Sequence, residues 1–106
     1  MDEDARLIRA MRAGDDGAIE SFVRKYYPDI YRYCLRRLPS PADAEDLTQE
    51  TFERFFRGFE GYRHRGKAKN YLYIIAGNLC ADFYRRGGGE TPPELPETAG
   101  VELGLA

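Results

Sequence analysis

Residues 40–59 read SPADAEDLTQETFERFFRGF. Ser40 is a helix N-cap, Pro41 suits the first helical position and Asp43 completes an S-x-x-D box, so a helix starts here. It is expected to run from about residue 41 to Gly58. At about 100° per residue, Ala44, Leu47, Thr51, Phe55 and Phe59 share one face and are expected to pack. Asp46, Gln49, Glu50 and Glu53 share the opposite face, with Phe56 at its edge.

Working outward, three more helices and no convincing strand are read, which makes the fold all-α. The first spans about 3–13, capped by Asp2 or Asp4, with a stripe of Leu7, Ile8 and Met11 and a closing Gly14. The second spans about 17–38 and starts at Asp15 or Asp16. Ile19, Phe22, Val23, Tyr26, Ile30, Tyr33 and Cys34 recur along it at helical spacing. Pro28 predicts a kink or brief break near residues 26–28, because proline removes a backbone donor and crowds the preceding turn. Arg32, Arg36 and Arg37 in its second half read as solvated helix charges. After the third helix comes a short loop, Glu60–Gly66, punctuated by Gly58, Gly61 and Gly66. The fourth helix spans about 67–86, with Leu72, Ile75, Ala76, Leu79 and Phe83 as its core face and Tyr71, Ile74, Asn78, Asp82 and Arg85 as a second face. The result is a compact bundle of four helices over residues 1–86. Residues 87–106 hold five glycines, three prolines and four acids without a base, and are expected to be a disordered, flexible acidic linker.

The net charge of −2 hides an internal reversal. Residues 39–53 carry five acids and no base, whereas residues 54–86 carry eight bases against two acids. The basic segment also holds eight of the fourteen aromatics. One surface looks made for a basic partner and the next for phosphate and unstacked bases.

Other classes find little support. There is one histidine, His64, with no sequence-level nucleophile or metal partner, and no P-loop, GxGxxG or HExxH string, so no enzyme, cofactor or metal centre is expected. Cys34 and Cys80 lack ligand or CxxC spacing and read as reduced, buried thiols. A redox or metal sensor using Cys34, Cys80 and His64 stays open as an alternative. No stretch is long and apolar enough to span a membrane, and the charged N-terminus is unlike a signal peptide, so a cytoplasmic monomer is expected.

The face Asp46, Gln49, Glu50, Glu53 reads either as a wet helix surface or as a docking face. Two features favour docking: no lysine or arginine on that face to form i,i+4 pairs, and Phe56 at its edge, an aromatic the core stripe does not need. The loop and fourth helix mix Arg63, Arg65, Lys67, Lys69, Arg85 and Arg86 with Tyr62 and Tyr71. Bases neutralise phosphates and aromatic faces stack on nucleobases, a combination suited to single-stranded nucleic acid. Asn78 has the paired donor and acceptor that base edges require.

Four collinear strings resemble bacterial sigma factors of the sigma-70 family, most closely the extracytoplasmic-function (ECF) class. Asp46-Leu47-Thr48-Gln49-Glu50-Thr51-Phe52 resembles the D-L-x-Q-E-T-F signature. Tyr26-Tyr27-Pro28-x-Ile30-Tyr31 resembles Y-Y-P-x-(aliphatic)-Y, and Tyr71-Leu72-Tyr73-x-Ile75-Ala76-x-Asn78 resembles W-L-x-x-I-A-x-N. Asp82-x-x-Arg85-Arg86 resembles the closing D-x-x-R-R. Tyr71 departs by replacing tryptophan, and Gly77 replaces a larger residue that is often basic.

The resemblance implies a region 2 domain that docks on the clamp helices of the RNA polymerase β′ subunit and recognises and melts the promoter −10 element. It implies polymerase binding by Asp46, Leu47, Gln49, Glu50, Glu53 and Phe56. It implies capture of the single-stranded non-template strand by Tyr62, Arg63, His64, Arg65, Lys67, Lys69, Tyr71, Ile74, Asn78, Arg85 and Arg86. An anti-sigma factor is an expected further partner. The alternative within this fold is a helical interaction module that binds polymerase or an anti-sigma factor without reading DNA. The family's second domain, which reads the −35 element, is not seen after residue 86. The chain is therefore expected to be an N-terminal domain taken from a longer sigma factor rather than a natural short variant.

Overall fold

The structure, a computed structural model, describes residues 3–61 and 68–87. Four helices follow in order: α1 Glu3–Arg12, α2 Asp16–Arg37, α3 Pro41–Arg57 and α4 Ala68–Arg85, with a single 3₁₀ turn, Phe59–Gly61, after α3. There is no strand among the described residues. The expected linker from residue 88 onward, the loop positions 62–67 and the Asp2 cap lie outside the described residues.

The helix ends follow their local chemistry. Asp15 caps α2 by accepting from the amides of Gly17 and Ala18 at 2.9 and 3.2 Å. Ser40 caps α3: its Oγ accepts from the Asp43 amide at 3.1 Å and donates to the Asp43 carboxylate at 2.9 Å. Gly14 ends α1 at φ +87°, in the left-handed region that only glycine enters without strain.

The expected break at Pro28 does not occur, and α2 is helical from end to end. Proline removes only the amide that would bond the Arg24 carbonyl, and both Arg24 and Pro28 lie on the exposed side, where water can satisfy that carbonyl.

Helix α2 is the centre of the bundle and touches each of the other three helices. Its buried stripe of Phe22, Tyr26, Ile30 and Cys34 meets Ala44, Phe52 and Phe55 of α3 and Leu72, Ala76 and Cys80 of α4. Phe22 stacks on Phe55 with centroids 5.1 Å apart, and Tyr71 meets Phe55 edge-on at 5.8 Å. Ile8 and Met11 bring α1 onto this core. A polar clamp fixes α1 at its other end: Lys25 Nζ reaches Glu3 at 2.7 Å and Asp4 at 2.8 Å, and the Tyr26 hydroxyl donates to Asp4. Burial, then the bond to Asp4, push the Tyr26 phenol up to about 12.

The α3 core stripe is rotated from the expected one. Ala44, Thr48, Thr51, Phe52 and Phe55 are buried, whereas Leu47 and Phe59 are only half-buried. Two threonines sit in the core because their hydroxyls donate to the carbonyls one turn back, Thr48 to Ala44 and Thr51 to Leu47, each at 2.7 Å. In α4 the expected core residues Ile75 and Phe83 are half-buried, and Ala68, Leu72, Ala76, Leu79 and Cys80 form the buried side.

Candidate functional site

Two surfaces flank this core. On α3, Asp46, Gln49 and Glu53 are exposed, and Leu47 and Glu50 half-buried, so one helix presents a carboxylate row bordered by an aliphatic side chain. Two of the features that favoured docking need correction. The face does have a basic neighbour, because Arg54 bonds Glu50 from one turn later through Nε at 3.3 Å and Nη2 at 3.1 Å. Phe56 is not a spare aromatic. It packs edge-on against Phe22, Phe55 and Phe59 with centroids 6.2, 5.2 and 6.2 Å apart, and so closes the rim of the core.

On the basic side, Tyr62, Arg63, His64, Arg65 and Lys67 lie outside the described residues. Lys69 is exposed but ion-paired with Asp29 of α2 at 3.1 Å. Asn78 is half-buried. Arg85 is exposed and paired with Asp82 within its own helix. Tyr71 is half-buried against Phe55, so its ring serves the core on one side. Ile74 does not fit a DNA-facing role. It is 7 % exposed, as expected of a branched aliphatic side chain whose withdrawal from water contributes roughly 2 kcal/mol. Arg86 is not beside Lys69 but at the other border of α4, where a small groove of about 190 Å³ is lined by Leu47 and Glu50 of α3 and Leu79, Asp82, Phe83 and Arg86. The two surfaces therefore meet at the C-terminal end of α4.

One group was missed in the sequence. Tyr73 lies 5.1 Å from Tyr33 of α2, and the Arg37 guanidinium sits 3.8 Å over the Tyr33 ring while donating to the Tyr33 carbonyl at 3.3 Å. The i,i+4 spacing of Tyr33 and Arg37 was a visible signal; the pairing with Tyr73 was not, because it joins α2 to α4. Tyr84 adds a further tie, donating its hydroxyl to the Arg37 carbonyl.

Cys34 and Cys80 are free and buried, as expected of structural thiols, and the fold brings them together. The bond they share, with burial, pushes the Cys80 thiol up, while the same bond draws the Cys34 thiol down. No cluster of histidine, cysteine, aspartate and glutamate suited to a metal is found among the described residues. None of the described helices is long and apolar enough to cross a membrane.

Comparison with known proteins agrees with this architecture. The chain is 40% identical over 87 residues to the ECF RNA polymerase sigma factor SigE of Mycolicibacterium smegmatis, covering 79% of this chain and 34% of that protein. It is 35% identical over 69 residues to the RNA polymerase sigma factor YlaC of Bacillus subtilis, covering 65% and 40%. It is 34% identical over 81 residues to the ECF RNA polymerase sigma factor SigW of Bacillus subtilis, covering 76% and 43%. The match thus spans between 34% and 43% of the length of these curated relatives. No solved structure gives a significant match. The family described as Sigma-70 region 2, whose members are not enzymes, matches residues 22–89, from the first aromatic of the α2 stripe past the end of α4. With the four-helix architecture and the ECF relatives, this establishes that the chain belongs to the Sigma-70 region 2 family, as a region 2 domain of the ECF type.

Proposed function

We propose that this chain works in the cytoplasm as a transcription-initiation domain that docks on the clamp helices of RNA polymerase β′ through α3. From there it holds the opened non-template strand of the promoter −10 element with the loop after α3 and with α4. The observation that carries the docking half is the exposed row Asp46, Gln49 and Glu53 beside half-buried Leu47, on a family-matched helix. Carboxylates around a partly covered aliphatic suit a basic amphipathic helix, since charge steers the encounter and the apolar contact holds it. The melting half follows from differential binding. A surface that takes up unstacked bases favours the opened strand over the duplex and so offsets part of the cost of opening.

Binding of this chain to core polymerase, measured with Asp46→Lys, tests the docking half. At least a tenfold loss with unchanged helical signal is expected, and wild-type affinity would sink it. Wild-type binding of the polymerase complex to opened −10 strands and to scrambled strands tests the DNA half. A second reading, binding polymerase or an anti-sigma factor without reading DNA, draws support from Lys69 and Arg85, whose charges are already matched by Asp29 and Asp82. Equal affinity for cognate and scrambled strands would favour it.

A further inference from the structure

We infer that the seam between the second half of α2 and the first half of α4 is a phosphate-contact surface for duplex DNA beside the opened element. This rests on the reading above and extends it to residues of α2, which together with the start of α4 would take the duplex flank.

Along α2, Asp29, Arg32, Tyr33, Arg36 and Arg37 recur at three- and four-residue intervals, so they form one stripe. The fold lays this stripe beside Lys69 and Tyr73 of α4: Lys69 pairs with Asp29, and Tyr73 meets Tyr33. Arg32, Arg36 and Arg37 thus share a stripe of α2 with Asp29, and Asp29 pairs across to Lys69 of α4. The single carboxylate is shared, since Asp29 also accepts from Arg32. One acid set between two bases cannot neutralise both, and it holds them at fixed positions. Arg36 is exposed and has no ion-pair partner among the described residues.

The aromatic content decides which form of DNA this surface suits. An opened strand is held by rings that stack on its bases. Here the rings are half-buried and engaged with each other and with Arg37, so the seam offers water the exposed Arg32, Arg36 and Lys69 rather than its aromatic faces. Cations without stacking surfaces neutralise backbone charge and carry no base readout. Duplex DNA, with its higher charge density, is the form that gains most from them. The seam is also continuous with α4, so duplex bound there runs onto the helix proposed to hold the opened strand.

The test uses this chain bound to core polymerase, with two DNA probes: a forked fragment carrying duplex next to an opened −10 strand, and the opened strand alone. The variant is Arg32→Gln/Arg36→Gln, at two exposed positions outside the core, with thermal melting as the control for folding. Affinity for the fork is expected to fall about three- to tenfold, and the slope of log K against log salt to shrink by about 0.9 for each phosphate no longer neutralised. The decrease should be the same for cognate and scrambled duplex, and binding to the single strand and to core polymerase should hold. An unchanged salt slope on the fork overturns the inference. So does an equal decrease on the single strand, which would make the seam part of the opened-strand site, or a decrease confined to core polymerase, which would make it a protein surface. Failure of the parent reading looks different: the wild-type complex would then bind cognate and scrambled opened strands alike.

Discussion

The acidic face of α3 and the basic seam between α2 and α4 lie on one small bundle yet are made differently. The acidic face belongs to one helix, and its exposed carboxylates Asp46 and Glu53 have no ion pair with another element among the described residues. The basic seam is made by two helices, and all its charges but that of Arg36 are held by partners: Lys69 and Arg32 by Asp29, Arg37 by Tyr33. A face on one helix keeps its spacing as long as that helix is folded. A face across two helices exists only when they are docked, so it depends on the core beneath it.

The largest test of that difference is Phe55→Ala. Phe55 is fully buried and packs against both Phe22 of α2 and Tyr71 of α4, so it lies under both surfaces. Its truncation is expected to cost about 3–5 kcal/mol in urea unfolding, a large share of the stability of so small a domain. In the residual folded population, duplex binding by the seam should weaken before polymerase docking does. Equal weakening of both would remove the distinction.

Tyr26→Phe is the next largest and touches neither surface. It deletes the hydroxyl that holds Asp4, a bond to a charged group worth roughly 1.5–3 kcal/mol. The phenol has a raised value of about 12 in the fold, so the folded state keeps its proton after the unfolded chain, at about 10, has lost it. That stabilisation is complete below pH about 10 and is lost as pH rises toward 12. Melting temperatures from pH 8 to 12, a range set by the ordinary and raised tyrosine values, should fall more steeply for the wild type than for the variant. Parallel curves would show that Tyr26 does not report on the clamp.

Ser40→Ala acts on one surface. Losing the cap of α3 is expected to cost about 1 kcal/mol and to fray the turn that leads into Asp46. Polymerase affinity should drop with it while duplex affinity holds. The smallest effect is expected from Asp29→Asn. Exposed ion pairs contribute about 0–1 kcal/mol, so stability should barely change. Freeing Lys69 and Arg32 should nonetheless tighten duplex binding and steepen its salt dependence. An unchanged slope would mean that the pairing with Asp29 does not restrain the seam.

Much of this was open to reading along the chain. The caps at Asp15 and Ser40, the four helices and the exposed acidic row follow from side-chain chemistry a few residues apart, which acts before any tertiary contact forms. The errors share a cause. Thr48 replaced Leu47 in the core because a threonine hydroxyl can be satisfied inside its own helix, and a hydropathy pattern ranks it as polar. Ile74 and Phe56 were placed by the face they occupy on an isolated helix, whereas burial depends on what packs over them.

The order and ends of the helices, the charge reversal and the family strings were determined by sequence alone, since each rests on neighbours within one or two turns. Which bases stay available was decided only by the tertiary structure. Asp29 reaches Lys69 across forty residues of chain, Tyr33 meets Tyr73 across the same distance, and Arg86 comes to line a groove with Leu47 and Glu50 of α3. Charge and aromatic content can be counted along a chain. The neutralisation of one charge by another, and the covering of one ring by another, depend on distances that exist only once the helices are packed.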